Sequence, residues 1–338
     1  MDLQFADGVV RAGGQARERF YDSRGYGRVV DGGDVELAPV EAAHLLYRGD
    51  VDSVGGMAFR EFLASADCPA LQFLVYADLR TRGFYLSPAR EGWVDDPAGT
   101  DLVVYPRGEG PWDDAVAHRV RVVGERATLP AADLGGVTLA VVDEESEITY
   151  FETEWVDPTG TSGTDLPTGV PASLLADRVL VWDPPRPLYE RAFYGQPLSG
   201  GDDPDTLQLS LVEAAHLAAA GVLGIEGGAD AIRERGRDAE GGRFERRLRA
   251  YAELRERGLV PKTGFKFGAD FRLYDDVESV SDLGHSRSLV RVLAPDHAFA
   301  PRDLALDVRL AAGVRKRMVF GLTGPETIDW LEVGRLTP

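Results

Sequence analysis

A six-residue sequence, VEAAHL, occurs twice in this chain of 338 residues, at Val40–Leu45 and at Val212–Leu217. Further matches follow in the same order, at offsets of 169 to 175 residues: Tyr76–Arg80 with Tyr251–Arg255, Asp101–Tyr105 with Asp270–Tyr274, and Val120–Val122 with Val290–Val292. Collinear matches at a nearly constant offset are typical of an internal duplication. The chain is therefore predicted to contain two tandem copies of one unit of about 170 residues.

The charge of the chain indicates the kind of solvent to which the protein is adapted and bears on the partners that it can bind. It carries 56 acidic and 37 basic residues, and lysine occurs only at Lys262, Lys266 and Lys316. An acidic, lysine-poor surface is typical of a salt-adapted protein, so the net charge of -19 does not by itself exclude a nucleic-acid partner. No apolar run approaches the ~18 residues that cross a bilayer, and the N-terminus lacks the regions of a signal peptide. We expect a soluble, cytoplasmic protein with no membrane partner.

The chain has a single cysteine, Cys68. One cysteine forms no intrachain disulfide and no cysteine-based zinc site. Cys68 is expected to be a small, buried or half-buried residue. We expect no metal site and no cofactor.

Apolar periodicity and turn residues predict the same order of elements in both halves. In the first half they predict helices at Val40–Tyr47 and Phe73–Arg82, and strands at Leu102–Tyr105, His118–Val123, Val137–Val142 and Ile148–Trp155. In the second half they predict helices at Leu211–Ala220, Arg243–Arg257 and Pro301–Ala311, and strands at Gly264–Leu273, Ser288–Leu293, Arg317–Leu322 and Thr327–Val333. Mixed helices and strands predict an α/β (α+β) fold in two tandem repeats.

The domain organisation follows from these elements and from one stretch rich in Pro, Gly, Thr and Ser, which is typical of a linker. We predict a small N-terminal α/β module and a larger C-terminal mixed-sheet module in each repeat. The predicted boundaries are 1–70 and 71–156 for the first repeat, 157–172 for the linker, and 173–248 and 249–338 for the second repeat.

Three chemically versatile side chains lie near strand ends in the last quarter of the chain. Tyr274 ends a predicted strand, His285 lies in a polar loop before the next strand, and Lys316 lies at the start of another. The ends of neighbouring strands can bring such residues together. Each residue alone also fits a structural interpretation, as a strand-terminal tyrosine, a solvated loop histidine and a surface cation. Only their order and context together indicate a catalytic site.

The ordered motifs resemble those of the archaeal tRNA-splicing endonucleases of the tandem-duplicated, homodimeric type. They are Gly264–Gly268 (GFKFG), Phe271–Tyr274 (FRLY), His285–Ser286 and Val314–Arg317 (VRKR). The detailed match covers about the last 90 residues, and the duplicated plan extends it over the whole chain. One departure is Arg287, after His-Ser, where family members often carry a bulkier apolar or aromatic residue.

The resemblance implies a metal-independent RNA endonuclease that cleaves precursor tRNA at intron–exon junctions in bulge–helix–bulge motifs. It implies Tyr274 as the general base for the ribose 2′-OH, His285 as the general acid for the 5′-oxygen, and Lys316 as the stabilising cation. Cleavage without a metal requires a base, an acid and a fixed positive charge, so the chemistry agrees with these roles. The products would be a 2′,3′-cyclic phosphate and a 5′-hydroxyl.

The first half keeps only part of this set. Alignment leaves Tyr105 opposite Tyr274, but it places Ala115 opposite His285 and Gly135 or Gly136 opposite Lys316. A base alone supplies neither the acid nor the cation, so segment 71–156 is predicted to be a pseudo-catalytic domain kept for architecture. The histidines of the two VEAAHL copies, His44 and His216, are expected to be structural.

The first half carries an acidic loop, made by Asp143, Glu144, Glu145 and Glu147. In the family, such a loop inserts into a basic cleft on a neighbouring unit. Here the basic residues available in the second half are Arg315, Arg317 and the three lysines. The resemblance therefore implies a homodimer in which this loop docks, and a solvated, salt-adapted turn is the alternative.

Contact with RNA is expected from arginine, because a planar guanidinium stacks on unstacked bases. Arg309 and Arg335 are the candidates for gripping a bulged base. Two other functions remain open at this point. A metal-dependent nuclease would carry an acid two residues before Lys316, where this chain has Val314. A non-catalytic RNA-binding or assembly subunit would not need Tyr274, His285 and Lys316 together.

Overall fold

A computed structural model of the chain describes residues 1–13, 15–65, 68–198 and 205–338. The chain divides into two compact units. Unit 1 contains residues 1–154, 298–304 and 335–338, and unit 2 contains residues 155–297 and 305–334.

Unit 1 combines an N-terminal sheet with helices and a second sheet. The N-terminal elements are β1 (Asp2–Ala6), β2 (Val9–Ala12), β3 (Arg28–Val29), β4 (Val35–Leu37), α1 (Pro39–Tyr47), β5 (Ser53–Val54), α2 (Phe59–Leu63) and α3 (Ala70–Thr81). The strands follow the order β3-β4-β2-β1-β5, with β1 and β5 parallel. The later strands are β6 (Leu86–Pro88), β7 (Leu102–Val104), β8 (His118–Gly124), β9 (Leu129–Pro130), β10 (Thr138–Val142) and β11 (Ile148–Val156). Here β6, β7, β8, β10 and β11 are neighbours in that order, with β8 and β10 parallel.

The second half of the chain repeats this plan. Its first elements are β12 (Val170–Leu174), β13 (Arg178–Trp182), α4 (Arg186–Glu190), β14 (Gln196–Pro197), β15 (Thr206–Ser210), α5 (Leu211–Ala219), β16 (Leu223–Gly224), α6 (Gly228–Glu240) and α7 (Gly242–Glu256). They are followed by β17 (Val260–Thr263), β18 (Phe271–Tyr274), β19 (Ser288–Leu293), β20 (Ala298–Phe299), α8 (Pro301–Gly313), β21 (Arg317–Thr323) and β22 (Ile328–Leu336).

The two halves share their strand order and strand directions. The order β14-β15-β13-β12-β16 repeats that of the first N-terminal sheet, and its terminal pair, β12 and β16, is again parallel. The order β17-β18-β19-β21-β22 likewise has one parallel pair, β19 with β21, where unit 1 has β8 with β10. These matches confirm the predicted α/β (α+β) class and the duplication.

Both VEAAHL sequences form the same buried helix, α1 in unit 1 and α5 in unit 2. α1 starts at Pro39, and α5 follows Ser210, whose hydroxyl accepts a hydrogen bond from the Glu213 backbone N–H at 3.2 Å. A serine at this position satisfies a backbone donor that the helix cannot pair itself. The glutamate of each copy, Glu41 or Glu213, bonds back to the backbone N–H that precedes the helix.

The histidines of the two copies lie among aromatic rings, as expected for structural residues. The His44 ring stacks on Tyr26, whose hydroxyl lies 2.8 Å from His44 Nδ1. The His216 ring stacks on Tyr194, with 6.2 Å between the ring centroids. Burial, together with nearby arginine charge, lowers the pKa of each histidine to about 4.

The core of unit 2 determines which face of its second sheet remains for chemistry. Phe271 and Leu273 of β18, Val290 of β19 and Val319 of β21 belong to one buried cluster that also contains Leu254 of α7. Side chains alternate between the two faces of a strand. Arg272 and Tyr274 of β18 therefore project from the face opposite to this cluster.

The structure corrects one predicted strand and adds three helices that the sequence did not predict, α2, α4 and α6. Gly264–Leu273 is wrong as a single strand, because a 3₁₀ turn at Phe265–Phe267 separates β17 from β18. The turn needs its glycines: Gly268 has a φ of +69°, and a Cβ at Gly264 would lie 2.8 Å from the Ala269 carbonyl oxygen. α6 escapes sequence analysis because it is mostly polar; its buried residues are Ile232 and Gly236.

Candidate active site

The candidate site lies where three neighbouring strands of unit 2 begin or end. In the sheet register, Leu273 is paired with Ser288 and Ser288 with Arg317. The flanking residues Tyr274, Arg287 and Lys316 therefore lie side by side across β18, β19 and β21. Backbone hydrogen bonds extend the pairing to this edge: the Arg287 N–H bonds to the Leu273 carbonyl at 3.0 Å, and the Arg317 N–H to the Arg287 carbonyl at 3.2 Å.

Tyr274 has an apolar environment and a free hydroxyl. Its side chain is 5% exposed and belongs to a small buried cluster with Phe193, Val260 and Val277. The Phe193 ring meets it edge to face, with 5.7 Å between centroids. Within the described residues, the Tyr274 hydroxyl has no hydrogen-bond partner. The packing fixes the ring while leaving the oxygen available to a ligand.

Lys316 follows the end of α8, which directs it toward the same edge. Its backbone N–H bonds to the Ala311 carbonyl at 2.9 Å, and the preceding Arg315 takes a left-handed conformation with a φ of 58°. The Lys316 ammonium donates a hydrogen bond to the carbonyl oxygen of Ser286. Partial burial, together with the nearby charge of Arg272, lowers the pKa of Lys316 below its ordinary value. The ammonium is thus tied to the loop that carries His285.

His285 lies in the loop that leads into β19 and its side chain is exposed. Ser286, the next residue, is buried and accepts the bond from Lys316. In the described part of the chain, no hydrogen bond or ion pair holds the imidazole of His285. Its ring is therefore free to meet a substrate, while its backbone is joined to the Lys316 side.

Arg272 is a residue of this site that sequence analysis did not single out. Its guanidinium carbon lies 5.6 Å from the centre of the Tyr274 ring, and its charge acts on Lys316. The signal was available, because residues two apart on a strand share a face. Arg272 adds positive charge that acts on both the tyrosine ring and the lysine.

Unit 1 keeps the tyrosine and loses the rest. The register pairs Val104 with His118 and Val120 with Thr138, which places Ala115 at the position of His285 and Gly135 at that of Lys316. Neither residue carries an ionisable side chain. The hydroxyl of Tyr105 is already engaged, since it donates to Ser87 Oγ at 3.0 Å.

The two candidate RNA-gripping arginines lie in different units. Arg309 is exposed on α8 in unit 2, and Arg335 is exposed near the end of β22 in a segment assigned to unit 1. The structure gives neither side chain a contact with Tyr274, His285 or Lys316 within the described residues.

The acidic loop is the turn between β10 and β11. Asp143 organises it, because its carboxylate accepts hydrogen bonds from the backbone N–H groups of Glu145 and Glu147, both at 2.9 Å. Glu144 forms an ion pair with Arg126. Glu145 and Glu147 are exposed, and among the described residues neither has a side-chain partner. These two side chains are the ones left for an external contact.

The sequence-based prediction counted Lys262 among the basic residues available to the acidic loop, and this is wrong. Lys262 is 8% exposed, and its ammonium lies 2.7 Å from Glu213 Oε1 and 2.9 Å from the Gly195 carbonyl oxygen. A buried ammonium in such a pair is unavailable to a docking acidic loop. The exposed Lys266 and the half-buried Lys316 remain at the surface.

No helix in residues 1–13, 15–65, 68–198 and 205–338 combines the length and apolar character needed to cross a bilayer. In the same residues no group of three or more histidine, cysteine, aspartate or glutamate side chains is arranged to hold a metal ion.

Comparison with known proteins shows the family. The model described as "tRNA intron endonuclease, catalytic C-terminal domain" matches residues 244–330, and "tRNA intron endonuclease, N-terminal domain" matches residues 1–63 and 170–235. Three similar proteins, all named tRNA-splicing endonuclease, come from Haloarcula marismortui (64% identical over 340 residues, 100% of each chain), Haloferax volcanii (61% over 342, 100% of each) and Methanococcoides burtonii (36% over 350, 95% of each). The catalytic match covers the segment that contains Tyr274, His285 and Lys316, and the chain therefore belongs to the tRNA intron endonuclease family.

Proposed function

We propose that this protein is an RNA endonuclease that cleaves precursor tRNA at both intron–exon junctions without a metal ion. The observation that carries the proposal is the common edge of β18, β19 and β21. It places the Tyr274 and Lys316 side chains on one face and ties Lys316 to the His285 loop through the Ser286 carbonyl. The names of the similar proteins, tRNA-splicing endonuclease, support this substrate.

The proposed reaction is an internal transesterification of the RNA backbone. Tyr274, acting as its phenolate, accepts the proton of the ribose 2′-OH, and the 2′-oxygen then forms a bond to the adjacent phosphorus. The bond from phosphorus to the 5′-oxygen breaks, and His285 gives that oxygen its proton. The products are a 2′,3′-cyclic phosphate and a 5′-hydroxyl end. The reaction therefore consumes no water and requires no metal ion.

Lys316 and Arg272 supply the positive charge that this reaction needs. Charge builds on the phosphoryl oxygens as the 2′-oxygen attacks, and a fixed cation stabilises that charge. The Ser286 carbonyl holds the Lys316 ammonium in place before the substrate arrives. Burial, followed by the charge of Arg272, lowers the pKa of Lys316, so the charges of both cations act at this edge.

The proposed substrate is a bulge–helix–bulge, in which two bulges are related by an approximate two-fold axis. Unit 1 lacks the acid and the cation, so each chain contributes one site. A homodimer with closed two-fold symmetry would present two such sites. Stacking of splayed bases on planar arginines, for which Arg309 and Arg335 are the candidates, suits a salt-rich solvent because phosphate contacts weaken as salt rises.

We further propose that the acidic loop takes part in the dimer. Glu145 and Glu147 are exposed without side-chain partners in the described chain, and Asp143 holds the loop in a defined turn. A preorganised pair of carboxylates gains most by docking against a surface rich in arginine.

Single-turnover cleavage by the purified chain tests the function. A precursor with a bulge–helix–bulge should be cut at both junctions in the presence of EDTA, and its 5′ fragment should end in a 2′,3′-cyclic phosphate. The matched control is the same RNA with its bulges paired, which should remain intact. Cleavage that requires added Mg²⁺ would identify a metal-dependent nuclease, and binding without cleavage would identify a non-catalytic subunit.

A further inference from the structure

The tyrosines of the two units occupy the same place in the fold, but their hydroxyl groups have different surroundings. Tyr105 donates to Ser87, which lies two residues beyond the strand partner of that tyrosine. The position two residues beyond the partner of Tyr274 is Lys262. The Lys262 ammonium turns instead to Glu213, at 2.7 Å. Unit 2 thus has a buried lysine where unit 1 has Ser87. It therefore lacks the acceptor to which the tyrosine hydroxyl of unit 1 donates.

A second difference lies in the backbone that precedes another pair of tyrosines, Tyr26 and Tyr194. Tyr26 and Tyr194 correspond, because each stacks on the histidine of its VEAAHL helix. The residue before each is in the left-handed region: Gly25 has a φ of 62° and Phe193 a φ of 52°. Glycine takes this conformation readily, whereas a bulky residue there is an outlier. Such strain persists where the surroundings enforce it, and it is common at functional sites.

The ring of Phe193 connects the N-terminal module of unit 2 with Tyr274. It is 5% exposed and meets the Tyr274 ring edge to face at 5.7 Å. The Lys262 ammonium lies 4.8 Å from the centre of the Phe193 ring, and Tyr189 packs against the same ring at 6.0 Å. A cation over a ring face and an aromatic edge both orient a ring. Phe193 is therefore held on several sides.

We propose that Phe193 is a positioning residue for Tyr274, and that Lys262, held by Glu213, supports it. The Phe193 ring fixes the Tyr274 ring in the orientation that presents its free hydroxyl to the ribose 2′-OH. This inference rests on the proposed function, in which Tyr274 is the base. It also explains the two exchanges between the units, since unit 1 has glycine and serine at these positions and performs no chemistry.

The test compares Phe193→Gly with Phe193→Ala in single-turnover cleavage. Both variants lose the ring, but only glycine relieves the left-handed backbone. We expect the maximal cleavage rate to fall about 10- to 100-fold in both, since a displacement of about 1 Å at a reacting group costs up to about 10²-fold. The RNA concentration that gives half-maximal rate should change less than about threefold. Phe193→Gly should melt at the higher temperature of the two.

A merely structural role gives the opposite pattern, in which the rate follows the melting temperature and Phe193→Gly cleaves faster than Phe193→Ala. That pattern overturns the proposal. The matched control is Phe244→Leu, which also alters a fully buried phenylalanine of unit 2 but in the cluster that does not contain Tyr274. It should lower the melting temperature and leave the maximal rate unchanged.

A Tyr274→Phe background separates this inference from the proposed function. Tyr274→Phe should be defective, and adding Phe193→Gly to it should cause no further loss, because Phe193 acts through Tyr274. A Tyr274→Phe protein with the parental rate contradicts the proposed function itself. A defective Tyr274→Phe together with a fully active Phe193→Gly contradicts only the positioning role.

Discussion

Replacing Lys262 by Met should reverse the way in which the stability of unit 2 depends on pH. The Lys262–Glu213 pair is buried on both sides, with side chains 8% and 10% exposed. Burial alone would raise the pKa of Glu213, but Lys262 and the N–H groups of Ser210 and Gly195 bring it down from 4.5 to about 2. Each pKa unit corresponds to about 1.4 kcal/mol. The charged form of Glu213 therefore contributes up to about 3 kcal/mol, and burial, which lowers the pKa of Lys262, offsets part of this contribution.

The sign of this contribution follows from the lowered pKa. In the parental protein it is fully present above pH 4.5 and is lost as the pH falls toward about 2. Without Lys262, Glu213 resembles Glu41, which has two backbone donors but no lysine. Burial raises the pKa of Glu41 to about 7. An acid with a raised pKa destabilises the fold progressively as the pH rises from 4.5 to 7.

The difference in unfolding free energy between the parental protein and Lys262→Met should therefore grow from pH 5 to pH 7. We expect at least about 3 kcal/mol at pH 5 and a larger value at pH 8, in line with the ~3–5 kcal/mol that breaking a buried pair costs. Hydrogen exchange read by mass spectrometry at constant salt resolves the peptides of unit 2. The control, Lys266→Met, removes an exposed lysine and should change stability by less than about 0.5 kcal/mol. A difference that is flat from pH 5 to 8, or below about 1 kcal/mol, would refute this reasoning.

Three further predictions concern cleavage and assembly. Lys316→Ala should slow single-turnover cleavage by about 10²–10³ with RNA affinity largely retained, because one fixed cation is removed; a near-parental rate contradicts its role. His285→Ala should recover on a substrate with a better 5′-leaving group, and equal defects on both substrates mean that His285 does not donate the proton. Replacing Glu145 and Glu147 by Ser should weaken the dimer in analytical ultracentrifugation at high salt, whereas the control Glu326→Ser should not; equal assembly of both variants contradicts docking.

The elements that sequence analysis recovered are those whose signals are local. The helices at Pro39–Tyr47 and Leu211–Ala219 and the strand Ser288–Leu293 show apolar periodicity within their own residues. The helix Gly228–Glu240 has few apolar residues, and its packing depends on Gly236, where a Cβ would lie 2.3 Å from the Phe244 ring. That contact belongs to two helices at once, so the sequence of one does not reveal it.

The candidate site was recovered unevenly for a similar reason. Tyr274, His285 and Lys316 stand out by residue type and motif order, and their chemistry is a property of each side chain. Arg272 and Phe193 do not stand out. Their importance arises from distances to Tyr274 of 5.6 and 5.7 Å, which the strand register and the N-terminal module create.

The sequence by itself determined that the chain is duplicated and that only its second half has a histidine and a lysine at the positions that accompany the tyrosine. Only the tertiary structure decided what each copy of a shared residue does. Glu41 and Glu213 occupy the same place in the same hexapeptide, yet the pKa of the first is raised to about 7 and that of the second is lowered to about 2. The reason is that Lys262, 49 residues beyond Glu213, reaches it through the fold. Electrostatic energy depends on distance and burial, which are set by packing and not by position along the chain.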